Sequence, residues 1–110
     1  MILIRTDGSE QVGLGHVRRC LALAHALRAE GQECLFALRG DLLVAKLVEE
    51  AGFVVSSVSR EHDLVETLTM AQTSQVRVVI VDSYVYAPSY YEGLRHAGLY
   101  VVAIDDVADR

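Results

Sequence analysis

The sequence predicts an α/β fold, a Rossmann-like doubly wound parallel sheet, and two patterns carry that expectation. Short Val- and Ile-rich runs alternate with amphipathic stretches along the whole chain. Three of those stretches close on a glycine, at Glu30-Gly31, Ala51-Gly52 and Ala97-Gly98, just before the next run. The runs show little polar alternation, which suits strands covered on both faces, and connections between parallel strands are right-handed.

The elements follow in order. The first strand is expected from Ile2 to Arg5, and the first helix opens after Gly13-Leu14-Gly15. Val17, Cys20, Leu21, Ala24 and Leu27 give that helix a core-facing stripe. Cys34 to Leu38 is the second strand, and Asp41 is placed to cap a helix over Leu42 to Ala51. Phe53 to Val58 is the third strand, followed by a helix from about His62 to Ser74 that lacks a closing glycine. Val76 to Val81 is the fourth strand, Pro88 opens a helix to Ala97, and Leu99 to Ile104 is the fifth strand. No linker, low-complexity tract or charge block divides residues 1–110, so one domain is expected.

Composition narrows the function. The 110 residues are 52% hydrophobic, enough for one real core, and the net charge is −5. An acidic chain without basic clusters argues against nucleic-acid binding. No apolar run approaches the roughly 18 residues of a membrane helix, and Arg5 and Asp7 interrupt the start as no signal peptide would. A cytoplasmic protein without membrane contact is the expectation. Cys20 and Cys34 have no metal or redox spacing and read as small buried residues in a reducing compartment. No cofactor is implied.

In open parallel sheets ligands bind beyond the carboxyl ends of the strands, where the strand order reverses. Those ends carry Thr6-Asp7-Gly8, Arg39-Gly40-Asp41, Ser56-Ser57, Asp82-Ser83-Tyr84 and Asp105-Asp106. The sharpest feature is Gly13-Leu14-Gly15-His16-Val17-Arg18-Arg19-Cys20, between strand and helix. Glycines let backbone approach a ligand, and free N–H groups with the helix dipole attract phosphate. The run is not a dinucleotide fingerprint, because Arg18 stands where the third glycine belongs and the second strand ends in Arg39 rather than an acid. A tight turn before a helix remains the competing reading.

A neutral His16 imidazole on this loop is a usable general base, and a partly exposed helix-start histidine is the plainer alternative. Arg18 or Arg19 can offer phosphate a guanidinium fork, or simply face solvent. Asp7, Asp82, Asp105 and Asp106 converge on one edge, yet their spacing dictates no metal site. Tyr84 follows Asp82-Ser83 and is placed to meet a sugar ring or phosphate, whereas Tyr90 and Tyr91 belong to a helix.

Taken together, Arg5-Thr6-Asp7-Gly8-Ser9, Gly13-Leu14-Gly15-His16-Val17 and Arg19-Cys20-Leu21-Ala22-Leu23-Ala24 resemble the amino terminus of a hydrolase family. It is the UDP-2,4-diacetamido-2,4,6-trideoxy-β-L-altropyranose hydrolase family of pseudaminic acid biosynthesis, related to spore coat polysaccharide biosynthesis proteins, and Val81-Asp82-Ser83-Tyr84 and Ile104-Asp105-Asp106 match its later motifs in order. The resemblance implies a GT-B-type fold with the active site between two Rossmann-like halves, in which water attacks the anomeric carbon of a UDP-sugar and UDP departs. It places the catalytic histidine on His16 and substrate contacts on Gly13, Gly15, Asp82, Ser83 and Tyr84, with Arg19 and Asp7 added. That family also has a carboxyl-terminal nucleotide-binding domain, which residues 1–110 do not include, so the isolated chain is expected to be inactive and to associate with a partner or itself. Two other readings stand beside this one: half of a GT-B glycosyltransferase using a sugar hydroxyl as acceptor, and a non-catalytic assembly module.

Overall fold

The structure is a computed structural model that describes residues 1–9, 13–83 and 87–104. Five parallel strands lie in the order β3-β2-β1-β4-β5. They are β1 (Ile2–Gly8), β2 (Cys34–Gly40), β3 (Val54–Ser57), β4 (Val78–Asp82) and β5 (Tyr100–Ala103). The helices between them are α1 (Gly15–Ala29), α2 (Leu42–Glu50), α3 (Asp63–Thr73) and α4 (Pro88–His96). This is the expected α/β doubly wound sheet. The order reverses between β1 and β4, whose register pairs Thr6 with Asp82 at their carboxyl ends.

Period-two alternation sends each strand's side chains to two helical layers. Ile4, Phe36, Leu38 and Ile80 meet Val17, Cys20 and Ala24 of α1 and Val44 and Val48 of α2. On the other face Leu3, Leu35, Ala37, Val79 and Val81 meet Ala71 of α3 and Tyr90 and Leu94 of α4. The predicted stripe of α1 is confirmed, with Leu21 and Leu27 partly buried at its margin.

Helix ends behave largely as their residues dictate. Asp41 caps α2 by accepting from the Val44 N–H at 3.0 Å, and Pro88 occupies the first turn of α4. Gly31, Gly52 and Gly98 all take φ between 84° and 91°. After α3 the same left-handed step falls on Gln75, with φ 56°. An L side chain is strained there, yet the Val76 N–H still reaches the Ala71 carbonyl at 2.8 Å.

One expectation needs correction. The third and fifth runs are not covered on both faces: Val54 is 67% and Tyr100 71% exposed. Both belong to short edge strands, and helices cover the two faces most fully at the centre.

Candidate functional site

The switch point between β1 and β4 is built by close packing. A Cβ on Gly8 would come within 2.4 Å of Val17 Cγ2, so only glycine lets the first turn of α1 sit on the end of β1. Ser9 and Gly13 exchange backbone hydrogen bonds of 2.8 and 3.3 Å, and Gly13 holds φ +89°. The chain thereby turns straight into α1, whose N-cap, Leu14, offers no side-chain acceptor and whose first turn holds no acid. The first-turn N–H groups therefore receive no cap from Leu14 and no carboxylate from their own turn. Gly15 is exposed, with open space where a Cβ would stand.

That geometry delivers His16 onto Asp82. His16 Nδ1 lies 2.5 Å from Asp82 Oδ1, across 66 residues of sequence. Asp82 is fully buried, and three further donors converge on it. Arg19 Nε donates to Oδ2 at 2.8 Å, Arg19 Nη2 to Oδ1 at 2.6 Å, and the Cys20 thiol to Oδ2 at 3.4 Å. Burial pushes the Asp82 carboxyl up, but hydrogen bonds and charge from Arg19 and His16 overcome it and hold the group below its ordinary value. An ionised Asp82 assigns the Nδ1 proton to the hydrogen bond, which leaves Nε2 as the basic ring nitrogen. Burial and the neighbouring Asp82 charge push the Cys20 thiol up to about 12, so it is a structural donor and not a nucleophile.

Of the residues expected at the site, His16, Arg19 and Asp82 share one cluster, and Gly13 and Gly15 frame it. Arg19, expected to face phosphate, turns its guanidinium fork onto Asp82. Asp7 and Ser83 join on the opposite side of the sheet edge, where the Ser83 hydroxyl donates to Asp7 Oδ2. Tyr84, Asp105 and Asp106 lie outside the described residues. Among the described residues no three His, Cys, Asp or Glu side chains gather as a metal site.

Sequence reasoning overlooked a second polar cluster. Arg5 is fully buried and donates to Asp63 Oδ1 at 3.0 Å, to Asp63 Oδ2 at 2.5 Å and to Asp7 Oδ1 at 2.8 Å. The Tyr90 hydroxyl donates to Asp63 Oδ1 at 2.9 Å, and Thr67 to the same oxygen at 3.1 Å. A lone arginine inside an apolar strand was the available signal, because a buried guanidinium requires carboxylate partners.

The chain matches MurG of Acinetobacter baumannii with a TM-score of 0.70 and 13% identity, over 93% of this chain and 34% of that one. A glycosyltransferase of Rickettsia africae matches with a TM-score of 0.67 and 14% identity, over 96% and 32%. Both are GT-B glycosyltransferases. The fold is that of a GT-B Rossmann-like lobe. An uncharacterized protein of Methanocaldococcus jannaschii is 39% identical over 82 residues, 74% of this chain. The lobe spans 16% of that relative's length and about a third of either glycosyltransferase. No family model matches the chain. Among the described residues no helix of the lobe is long and apolar enough to cross a membrane.

Proposed function

We propose that this chain is the general-base lobe of a UDP-sugar hydrolase acting in cell-surface sugar synthesis of the pseudaminic acid or spore coat kind. The observation that carries the reading is the His16–Asp82 pair at the head of an uncapped helix, on the switch point of a GT-B lobe. Nε2 is buried in this structure, so the reaction requires water to be admitted to it; that water gives its proton to His16 as its oxygen bonds to the anomeric carbon. The C–O bond to the diphosphate breaks, and UDP leaves with that electron pair. Asp82 supports the imidazolium that forms, and Arg19 keeps Asp82 ionised and in place. The N–H groups at the start of α1 favour the anionic diphosphate, and Gly13 and Gly15 let it approach. Asp7, Ser83 and Tyr84 are assigned to the sugar side of the crevice.

The glycosyltransferase neighbours support a second reading, in which a sugar hydroxyl replaces water. Product analysis separates the two: free sugar carrying isotope from labelled water, or a glycoside. His16→Asn is expected to lower turnover of the complete enzyme by about 10²- to 10⁴-fold with little change in substrate affinity. Near-normal turnover removes His16 from the mechanism. The 110-residue chain alone is expected to release no UDP, because leaving-group anchoring needs groups beyond this lobe. Self-association through the exposed Tyr100 and Val102 of the edge strand belongs to the same proposal.

A further inference from the structure

A cavity of about 480 Å³ opens at the carboxyl edge of the sheet on the α3/α4 face, the face opposite the one that α1 covers. Its lining includes Arg39, Arg60, Glu61, Asp63, Ser89 and Tyr90. The volume falls in the range of small-molecule sites. Its two arginines are poorly matched by the carboxylates beside them. Asp63 turns inward, with both oxygens engaged by Arg5, and Arg39 Nη1 stands 3.7 Å from Oδ2, beyond hydrogen-bond length. Arg60 is exposed and has no carboxylate partner among the described residues. Glu61 is exposed in the same lining.

The first turn of α4 adds donors to the arginines. Its N-cap, Ala87, carries no capping side chain, Pro88 has no N–H, and the Tyr90 N–H returns to the Ala87 carbonyl at 3.0 Å. Ser89 lines the cavity and is exposed, so its N–H and hydroxyl are the donors this turn can offer there. Two guanidinium forks and a serine amide and hydroxyl form a donor set matched to tetrahedral oxyanions, while Glu61 can accept from a hydroxyl.

We propose that this cavity binds the phosphate group of a small hydroxylated ligand, a sugar phosphate or similar ester, with Arg39 and Arg60 as its charged contacts and Ser89 as its hydrogen-bond donor. His16, Arg19 and Asp82 do not line this cavity, and the proposal does not depend on the hydrolase reading.

The test is a titration of the isotope-labelled chain with glucose 6-phosphate, inorganic phosphate and glucose, followed by NMR. Saturable shifts of the Ser89 amide and the Arg39 and Arg60 side chains, with Kd below about 1 mM for the ester, are expected. Inorganic phosphate should compete and glucose should not bind. R39Q and R60Q should each weaken the ester at least about tenfold, the loss of one charge-assisted contact, with the remaining spectrum folded. H16N should leave these shifts in place. Shifts confined to residues 13–17, equal binding by R39Q and R60Q, binding of glucose alone, or no saturation would overturn the proposal.

Discussion

Asp82 shows at the scale of one residue how burial and ionisation are reconciled. Its carboxylate sits in the sheet with no solvent contact, and it stays charged because four N–H and S–H donors from one face of α1 point at its two oxygens. An unfolded aspartate titrates at about 3.9, and the native group titrates lower. Its stabilisation is thus complete above that value and is lost as pH falls through the native pKa. Asp82→Asn should unfold at a lower temperature than wild type at pH 6. That gap should hold down to about pH 4 and narrow below it as pH falls toward the native pKa; a gap constant through this range would mean the carboxylate's charge is not what stabilises. In the sequence, His16 and Asp82 could both be placed at one edge, since glycine spacing and strand-end position mark them. The grip of Arg19 was not legible. A solvent-facing or phosphate-facing arginine has the same one-letter neighbourhood, and only the register of β4 against β1 decides which it is.

At the scale of elements, glycines and one exception to them decide how closely helix meets strand. Gly8→Ala forces a methyl against Val17 and within 3.1 Å of Val44, both buried side chains. Overpacking of this kind should cost about 1–3 kcal/mol, read as a lower denaturant midpoint. Gln75→Gly should act in the opposite direction, raising stability by about 1 kcal/mol, because it relieves φ 56° at an exposed residue. A midpoint unchanged or lowered would show that the Gln75 side chain compensates for its strain. Strand cores, the Asp41 cap and the closing glycines were all legible, since each is a local preference acting within a few residues. The end of α3 at Ser74 was legible too, but the left-handed step on Gln75 was not, because tertiary packing overrode the local preference for glycine there. The exposure of β3 and β5 was not either, because a Val-rich run reads alike at the centre and at the edge of a sheet.

Over the whole molecule, Arg5 ties the two halves of the chain together. Its guanidinium joins Asp7 on its own strand to Asp63 on α3, and Tyr90 of α4 closes the cluster from the far side. Burial, together with the Asp63 charge, pushes the Tyr90 phenol up to about 12, although the Thr67 hydrogen bond and Arg5 oppose that shift. The unfolded phenol titrates at about 10, so this contribution is intact below that value and declines as pH rises toward the native one. Wild type should lose stability between about pH 10 and 12 more steeply than Tyr90→Phe, measured as urea midpoints across that range. Parallel curves would exclude Tyr90 as the alkaline trigger. No pattern within ten residues of Arg5 identifies Asp63 as its partner; the link is set by where α3 lands on the sheet.

The central position of β1 has a consequence for the chain's birth on the ribosome. Its β2 side can be paired once about 40 residues have emerged, but its other side waits for Val78–Asp82. At translation speeds of about 5–20 residues per second, the central strand of the sheet spends seconds with one row of amides and carbonyls open. During that interval His16 has no carboxylate to meet. The edge that β4 will occupy is available to any extended segment, so crowding on a polysome, and not the finished molecule, is where this chain is most exposed to mispairing.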